Sequence, residues 1–94
     1  MTNWKTQKLK KLAQTFSFLD NEKDAQNFLR DLCSLDELAE LSNRWEAVKM
    51  IDAKVPYRAI SEKTGMSTAT VTRIAKWLNH GEGGYKKALK NNPS

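Results

Sequence analysis

Cysteine is nearly absent from this 94-residue chain: its single thiol is Cys33. One cysteine excludes an internal disulfide, a usage that fits a reducing compartment. With His80 as the sole histidine, the repeated Cys/His ligand spacing of a structural zinc site is missing as well. Long apolar runs are also lacking. No uninterrupted stretch reaches membrane-spanning length. The opening MTNWKTQKLKKLAQ has neither the continuous hydrophobic segment nor the small-residue cleavage site of a secretory signal. No alternating pattern marks a strand, and no internal repeat is present. The glycines of HGEGGY lack the G-x-x-x-x-G-K-S/T spacing of a phosphate loop, so a chain reversal is their simpler use. Neither Cys33 nor His80 has the partners of a nucleophilic mechanism. No enzymatic step, metal or cofactor is therefore expected.

Apolar residues make up 39% of the chain, which places it among folded proteins rather than disordered ones. Its length allows one domain with a thin core, so burial against a partner would help. The formal net charge is +5, and its distribution says more than its total. Residues 1–19 hold four lysines and no acid; residues 20–53 hold nine acids against four bases; residues 54–94 hold eight bases against two acids. The C-terminal part is thus oriented toward a polyanion.

Helical periodicity accounts for most of the chain. Trp4, Leu9, Leu12, Phe16 and Leu19 form a stripe that predicts a helix over residues 3–19. Helix packing explains this stripe better than a membrane surface does, so no membrane partner is expected. Asn21 and Asp24 form an N-terminal cap pattern ahead of Ala25, Phe28, Leu29 and Leu32. Ser34 and Glu37 have the spacing of a capping box. Behind them Leu35, Leu38, Leu41, Trp45, Val48 and Ile51 predict a helix of about 18 residues, the central strut. The acids Asp31, Asp36, Glu37 and Glu40 suit a solvated helix start rather than acid–base chemistry.

The stretch VPYRAISEKTGMSTATVTRIAKWL holds the functional question. Pro56 can initiate a helix because its missing N–H is harmless in a first turn. Ala59 and Ile60 are placed inward, Gly65 supplies a sharp turn, and Ser67 caps a second helix carrying Val71, Ile74, Trp77 and Leu78. Ser61 is small where the two helices approach. These features meet the needs of a helix-turn-helix over residues 56–78. Thr68, Ala69 and Thr72 then face a major groove, where Ala69 can touch a thymine methyl and the threonines can bond base edges or phosphate. Arg58 and Lys63 can meet the DNA backbone; Arg73 can do the same or face a neighbouring helix. The competing reading is a helical protein-interaction or replication-associated module whose basic face binds nucleic acid nonspecifically. A short last helix is expected over residues 82–90. Trp4, Trp45 and Trp77 are assigned to core or interface packing, Tyr85 to anchoring the last helix, Cys33 to a structural thiol and His80 to a helix end.

The segments LCSLDELAELSNRWEAVKMI and YRAISEKTGMSTATVTRIAKWLNHGEGGYKKAL resemble the Trp-repressor superfamily. The closer likeness is to its TrpR-like YerC/YecD branch, through TGMSTATVTR and LNHGEGGYKKAL. The resemblance covers residues 12–90 and is specific over residues 34–90. It implies an all-α, TrpR-like helical array forming an intertwined homodimer, with residues 1–94 a single DNA-binding domain and residues 1–53 mainly core and dimerisation helices. It further implies a cytoplasmic regulator that acts as a repressor by blocking promoter access and is nucleoid-associated when bound to double-stranded DNA. Within it Thr68, Ala69 and Thr72 occupy reading-helix positions, and Arg58 and Ser61 supporting-helix positions near DNA. Ser67, Lys63 and Arg73 complete the expected DNA-contact set.

The tryptophan-binding member of that superfamily holds its effector with two arginines, and Arg44 and Arg73 fall at those positions. Ser34 and Thr70 align with polar pocket positions. Two departures follow: Ile74 replaces a glycine beside the indole slot, and Trp77 replaces a serine near the effector's amino group. Both add bulk, so a response to free tryptophan is not expected, and any small-molecule effector is unknown. Arg44 is also open to ion pairing or simple exposure. The loop before YRAISEK differs in length by one residue from that of the Trp repressor.

Overall fold

The computed structural model describes residues 3–92 as six α-helices, with no strand among the described residues. They are α1 (Gln7–Ser17), α2 (Glu22–Leu32), α3 (Leu35–Asp52), α4 (Tyr57–Thr64), α5 (Thr68–His80) and α6 (Gly84–Asn91). Two compact units are distinguished, the first ending at Leu38 and the second beginning at Ala39. Among the described residues, no helix is long and apolar enough to cross a membrane.

In the first unit, the helix predicted from residue 3 begins only at Gln7. The reason is a cap that periodicity does not register: Thr6 is extended, and its hydroxyl accepts a hydrogen bond from the Leu9 N–H at 3.1 Å. Trp4 lies outside the helix and is exposed. Asn21 caps α2 as its sequence predicts, accepting from the Asp24 N–H at 2.9 Å. Phe16 and Phe28 meet edge to face, with ring centroids 5.2 Å apart at 87°. No side chain of α1 or α2 is fully buried.

Ser34 and Glu37 form the predicted capping box at the start of α3. The Glu37 N–H donates to the Ser34 hydroxyl at 3.1 Å, and the Ser34 N–H donates to the Glu37 carboxylate at 2.8 Å. Two orphan donors of the helix start are thereby satisfied reciprocally. The hydrogen bonds from the Ser34 backbone, and then from its hydroxyl, hold the Glu37 carboxyl below its ordinary pKa.

The core belongs to the second unit. Ala47, Val48 and Ile51 of α3 pack with Ile60 of α4 and with Val71, Ile74, Ala75 and Leu78 of α5. Trp45, Met50, Val55, Met66, Tyr85 and Leu89 close its edges. The α3 stripe is therefore only half used. Val48 and Ile51 are buried, whereas Leu35 and Leu41 are 65% and 44% exposed. Ala59, expected inward, is exposed, because the Ile60 side of α4 is the one turned to the core. Trp77 is half exposed, and Ala75 takes an inward position that the sequence reading did not assign.

The end of α3 has no glycine. Lys54 adopts a left-handed conformation (φ 66°), its N–H donates to the Ile51 carbonyl, and the Val55 N–H donates to the Met50 carbonyl, both at 3.0 Å. This is the paired-bond helix stop usually built on glycine. Pro56, extended at φ −59° and ψ 141°, stands just ahead of α4 rather than in its first turn, and its carbonyl accepts from the Ile60 N–H.

A group whose pKa is lowered on folding stabilises the fold above its unfolded pKa and loses that contribution as pH falls through the folded value. Acid titration of unfolding stability should thus show a decline between the ordinary and the lowered Glu37 pKa. In Glu37→Gln that component disappears, since the amide carbonyl accepts the Ser34 bond without titrating. Parallel pH–stability curves for the two proteins, from denaturant titration, would contradict the assignment.

Candidate nucleic-acid interface

Helices α4 and α5 are joined by Gly65, Met66 and Ser67, and each residue of that connection has a defined task. Gly65 ends α4 in the left-handed region (φ 78°), with its N–H bonded to the Ser61 carbonyl at 2.9 Å. No neighbour lies within 4 Å of where a side chain would begin, so backbone conformation rather than crowding is what favours glycine there. Thr64 is buried and fully partnered: its hydroxyl donates to the Ile60 carbonyl at 2.7 Å and accepts from the Met66 N–H at 3.3 Å. The Ser61 hydroxyl donates to the Met66 carbonyl. Ser67 then starts α5, its hydroxyl accepting from the Thr70 N–H at 3.1 Å and lying 3.0 Å from the Thr70 hydroxyl.

Beneath this hydrogen-bonded connection, Ile60 is locked against Val71, Ile74 and Val48, all four essentially solvent-free. The opposite side of α5 carries Thr68, Ala69, Thr72 and Arg73, all exposed. Their i, i+4 relations place Thr68 beside Thr72 and Ala69 beside Arg73 on one face. Lys76 continues that face one turn beyond Thr72 and is also exposed. The sequence reading missed it, although its spacing from Thr72 and its place between the inward Ala75 and Leu78 point outward. Arg58 and Lys63 are exposed on α4. None of the four basic residues on this part of α4 and α5, Arg58, Lys63, Arg73 and Lys76, makes an ion pair among the described residues.

The hydroxyls differ in what they can offer. Thr72 donates to the Thr68 carbonyl at 2.9 Å, so outward it presents a methyl group and acceptor lone pairs. Thr68 has no side-chain hydrogen bond among the described residues and keeps both donor and acceptor. Ser61 and Ser67 are occupied by the connection, and their donors are turned to the protein. The face can therefore accept from a base amino group, donate through Thr68, cover a thymine methyl with Ala69, and attract phosphate with its cations.

The residues aligned with an effector pocket differ in what each is bonded to or packed against within its own unit. Ser34 is part of the capping box in the first unit. In the second, Arg44 is paired with Glu40 at 2.7 Å, Thr70 is bonded to Ser67, and Arg73 is exposed. Ile74 is 1% exposed and belongs to the core. Trp77 alone of the six borders an open, mainly apolar hollow of about 630 Å³, with His80, Glu82 and Tyr85. Tyr85 also packs near Trp45, ring centroids 6.5 Å apart, which anchors α6 to α3. Cys33 follows α2 directly, half buried, with its carbonyl accepting from Arg30.

The family model described as Trp repressor protein matches residues 7–92. The Bacillus subtilis protein described as uncharacterized protein YerC is 36% identical over 83 residues, which cover 85% of this chain and 80% of that protein. The crystal structure of a TrpR-like protein from Eubacterium eligens superposes with a TM-score of 0.83 at 38% identity, covering 92% of this chain and 89% of that one. A Trp repressor candidate from Staphylococcus aureus gives 0.82 at 31% identity, covering 92% and 86%. The all-helical array is thus of the TrpR-like kind.

The different duties of the hydroxyls have a measurable consequence. Ser67→Ala removes a helix cap and should cost about 1 kcal/mol of unfolding stability. Thr68→Ala changes an exposed, uncommitted group and should stay within about 0.5 kcal/mol. Urea denaturation of both variants checks the ranking, and equal losses would refute it.

Proposed function

Because the chain belongs to the Trp repressor family, within its TrpR-like YerC/YecD branch, we propose that it is a sequence-specific double-stranded DNA-binding regulator of transcription. In this reading α4 and α5 act as a helix-turn-helix and the protein represses by occupying an operator. The observation that carries the reading is the exposed α5 face of Thr68, Ala69, Thr72 and Arg73 above an immobilised hydrophobic side. A reading helix needs that combination, since side chains aimed at base edges gain nothing from a support that rocks.

A second copy of the chain is the proposed protein partner. Phe18, Leu32, Leu35 and Leu41 are large apolar side chains left uncovered, and Phe18 is 78% exposed. Burying such groups contributes roughly 25 cal/mol per Å² of apolar area. Two-fold pairing would present two reading helices to half-sites about one helical turn apart. Thr68, Ala69 and Thr72 supply base contacts. Arg58, Lys63 and Arg73 supply phosphate contacts, while Ser61 and Ser67 serve chiefly by shaping the connection. The protein acts in the cytoplasm, associated with the nucleoid when bound to DNA.

The regulator works without free tryptophan. Ile74 stands where the tryptophan-binding relative has a glycine, and its side chain is committed to the core; Trp77 adds bulk where that relative has a serine. Arg44, one of the two aligned arginines, is engaged by Glu40. An ammonium or carboxylate left uncompensated beside such apolar groups is costly. Titration calorimetry should register no saturable tryptophan binding. Micromolar binding with a matching rise in operator affinity would overturn this part of the proposal.

Sequence preference is tested by competition at physiological salt between duplexes recovered from a genome-wide occupancy map and scrambled duplexes of equal length. The native protein should prefer a pseudo-palindromic site. Combined Thr68→Ala and Thr72→Ala changes should erase that preference more than they weaken generic binding. Equal affinity for every duplex would favour the nonspecific, protein-interaction or replication-associated module instead.

A further inference from the structure

A second basic feature lies outside the α4–α5 face. Lys54, from the α3–α4 connection, and Lys86 and Lys90, from α6, line one groove of about 610 Å³ in the second unit. Tyr57, the first residue of α4, borders the same groove, and Leu78 and Leu89 contribute apolar wall. All three lysines are exposed, and none forms an ion pair among the described residues. Asp52 is the single acid on the lining, so the groove remains cationic.

The backbone under Lys54 adds an independent observation. Its left-handed conformation is unfavourable for a residue with a side chain, a cost that glycine avoids. The helix stop at this position needs only the backbone, which glycine would supply more easily, and the residue found there is a lysine that lines the groove. Lys86 and Lys90, four apart on α6, share one helix face and line the same groove.

We infer that this groove is a second phosphate-binding surface, which holds the sugar–phosphate backbone of duplex DNA beside the α4 N-terminus. The inference rests on the duplex-binding reading above. In a helix-turn-helix the first helix crosses the DNA backbone while the second enters the groove. Pro56 and Tyr57 at the start of that first helix lie on the lining, so a strand crossing α4 there meets Lys54, Lys86 and Lys90. Lysine ammonium groups suit this use, being mobile point charges that tolerate any sequence. The Tyr57 phenol can add a neutral donor. This surface raises affinity and carries no base information.

The test measures the affinity of the full chain for a labelled random-sequence duplex across a salt series. Each phosphate contact contributes about 0.9 to the slope of log affinity against log salt. Lys86→Gln with Lys90→Gln should make the slope shallower by nearly twice that amount. Lys54→Gly should make it shallower while raising the thermal midpoint, because the left-handed strain is relieved. Lys87→Gln, on α6 but off the groove lining, is the control and should change the slope less than either groove lysine. The preference for a selected site over scrambled duplex should survive in every variant. Unchanged slopes in the groove variants, or an equal effect of Lys87→Gln, would overturn the inference and leave the α4–α5 reading intact. A native chain that binds no duplex at low salt would remove both.

Discussion

Everything at the α4–α5 face depends on burying Ile60, Val71, Ile74 and Val48 against one another. Fully burying an aliphatic side chain of this kind contributes about 1.5–3 kcal/mol. The Ser67 cap contributes about 1 kcal/mol, and the hydrogen bonds of the connection are individually of similar or smaller net value. Packing therefore fixes the orientation of α5 relative to α4, and the polar connection adjusts it. The roles are complementary rather than redundant. Thr64 is buried, and without bonds to the Ile60 carbonyl and the Met66 N–H its hydroxyl would be an uncompensated polar group. Gly65 lets the chain reverse within a few residues, so that Ile60 and Val71 reach the same core. The outward residues are free to be polar because the inward ones hold the helix.

Local chemistry was legible from the residues in proportion to how local it was. The Asn21, Ser34–Glu37 and Ser67 caps, the Gly65 turn and the inward Ile60, Val71, Ile74 and Leu78 each follow from spacing within one helix turn or one loop. Thr6 was passed over because Trp4 extends the apolar stripe backward and hides the cap between them. The end of α3 was legible only in its consequence, Pro56, since a lysine in the left-handed conformation leaves no sign in composition. Ala59 illustrates another limit. On an eight-residue helix, two adjacent small or apolar residues fit an inward position equally well, and only the placement of α3 and α5 selects Ile60. In the candidate site, the outward face of α5 was readable from its short side chains. Lys76 is harder to read, because it lies a full turn beyond the threonine-rich start of α5 and a lone lysine there fits any solvated position. That the Ser61 and Thr72 hydroxyls are already donating could not be read from spacing at all, since it depends on rotamers set by the fold.

The α3 stripe shows where one chain stops explaining its own sequence. Leu35, Leu41, Val48 and Ile51 have the same periodic standing, yet only the last two are buried within the second unit. The exposed members lie toward the N-terminal end of α3, and in the first unit α1 and α2 contribute no fully buried side chain either. A thin core is what a chain of this length can build alone. Periodic apolar residues beyond that core are the pattern produced when helices are selected to pack on a second molecule, which is why the proposed partner is another copy of the chain rather than a small ligand.

The outward chemistry of α5 bears on how such a regulator would divide affinity from specificity. Thr68, Ala69 and Thr72 lack the forked groups that make bidentate base contacts, each worth about 1–3 kcal/mol of discrimination. Short side chains instead allow the helix backbone to lie close to the duplex, where methyl contacts, bridging water and groove shape become the means of choice among sequences. Contacts of that kind are individually weak. They can decide between sites only if the protein is already held at the duplex by something indifferent to sequence. Arg58, Lys63, Arg73 and Lys76 are suited to that task because none is spent on an internal ion pair among the described residues. In the proposed regulator, a short-residue reading face and a surplus of uncommitted cations would thus be two parts of one physical solution: the first could discriminate only because the second supplied residence.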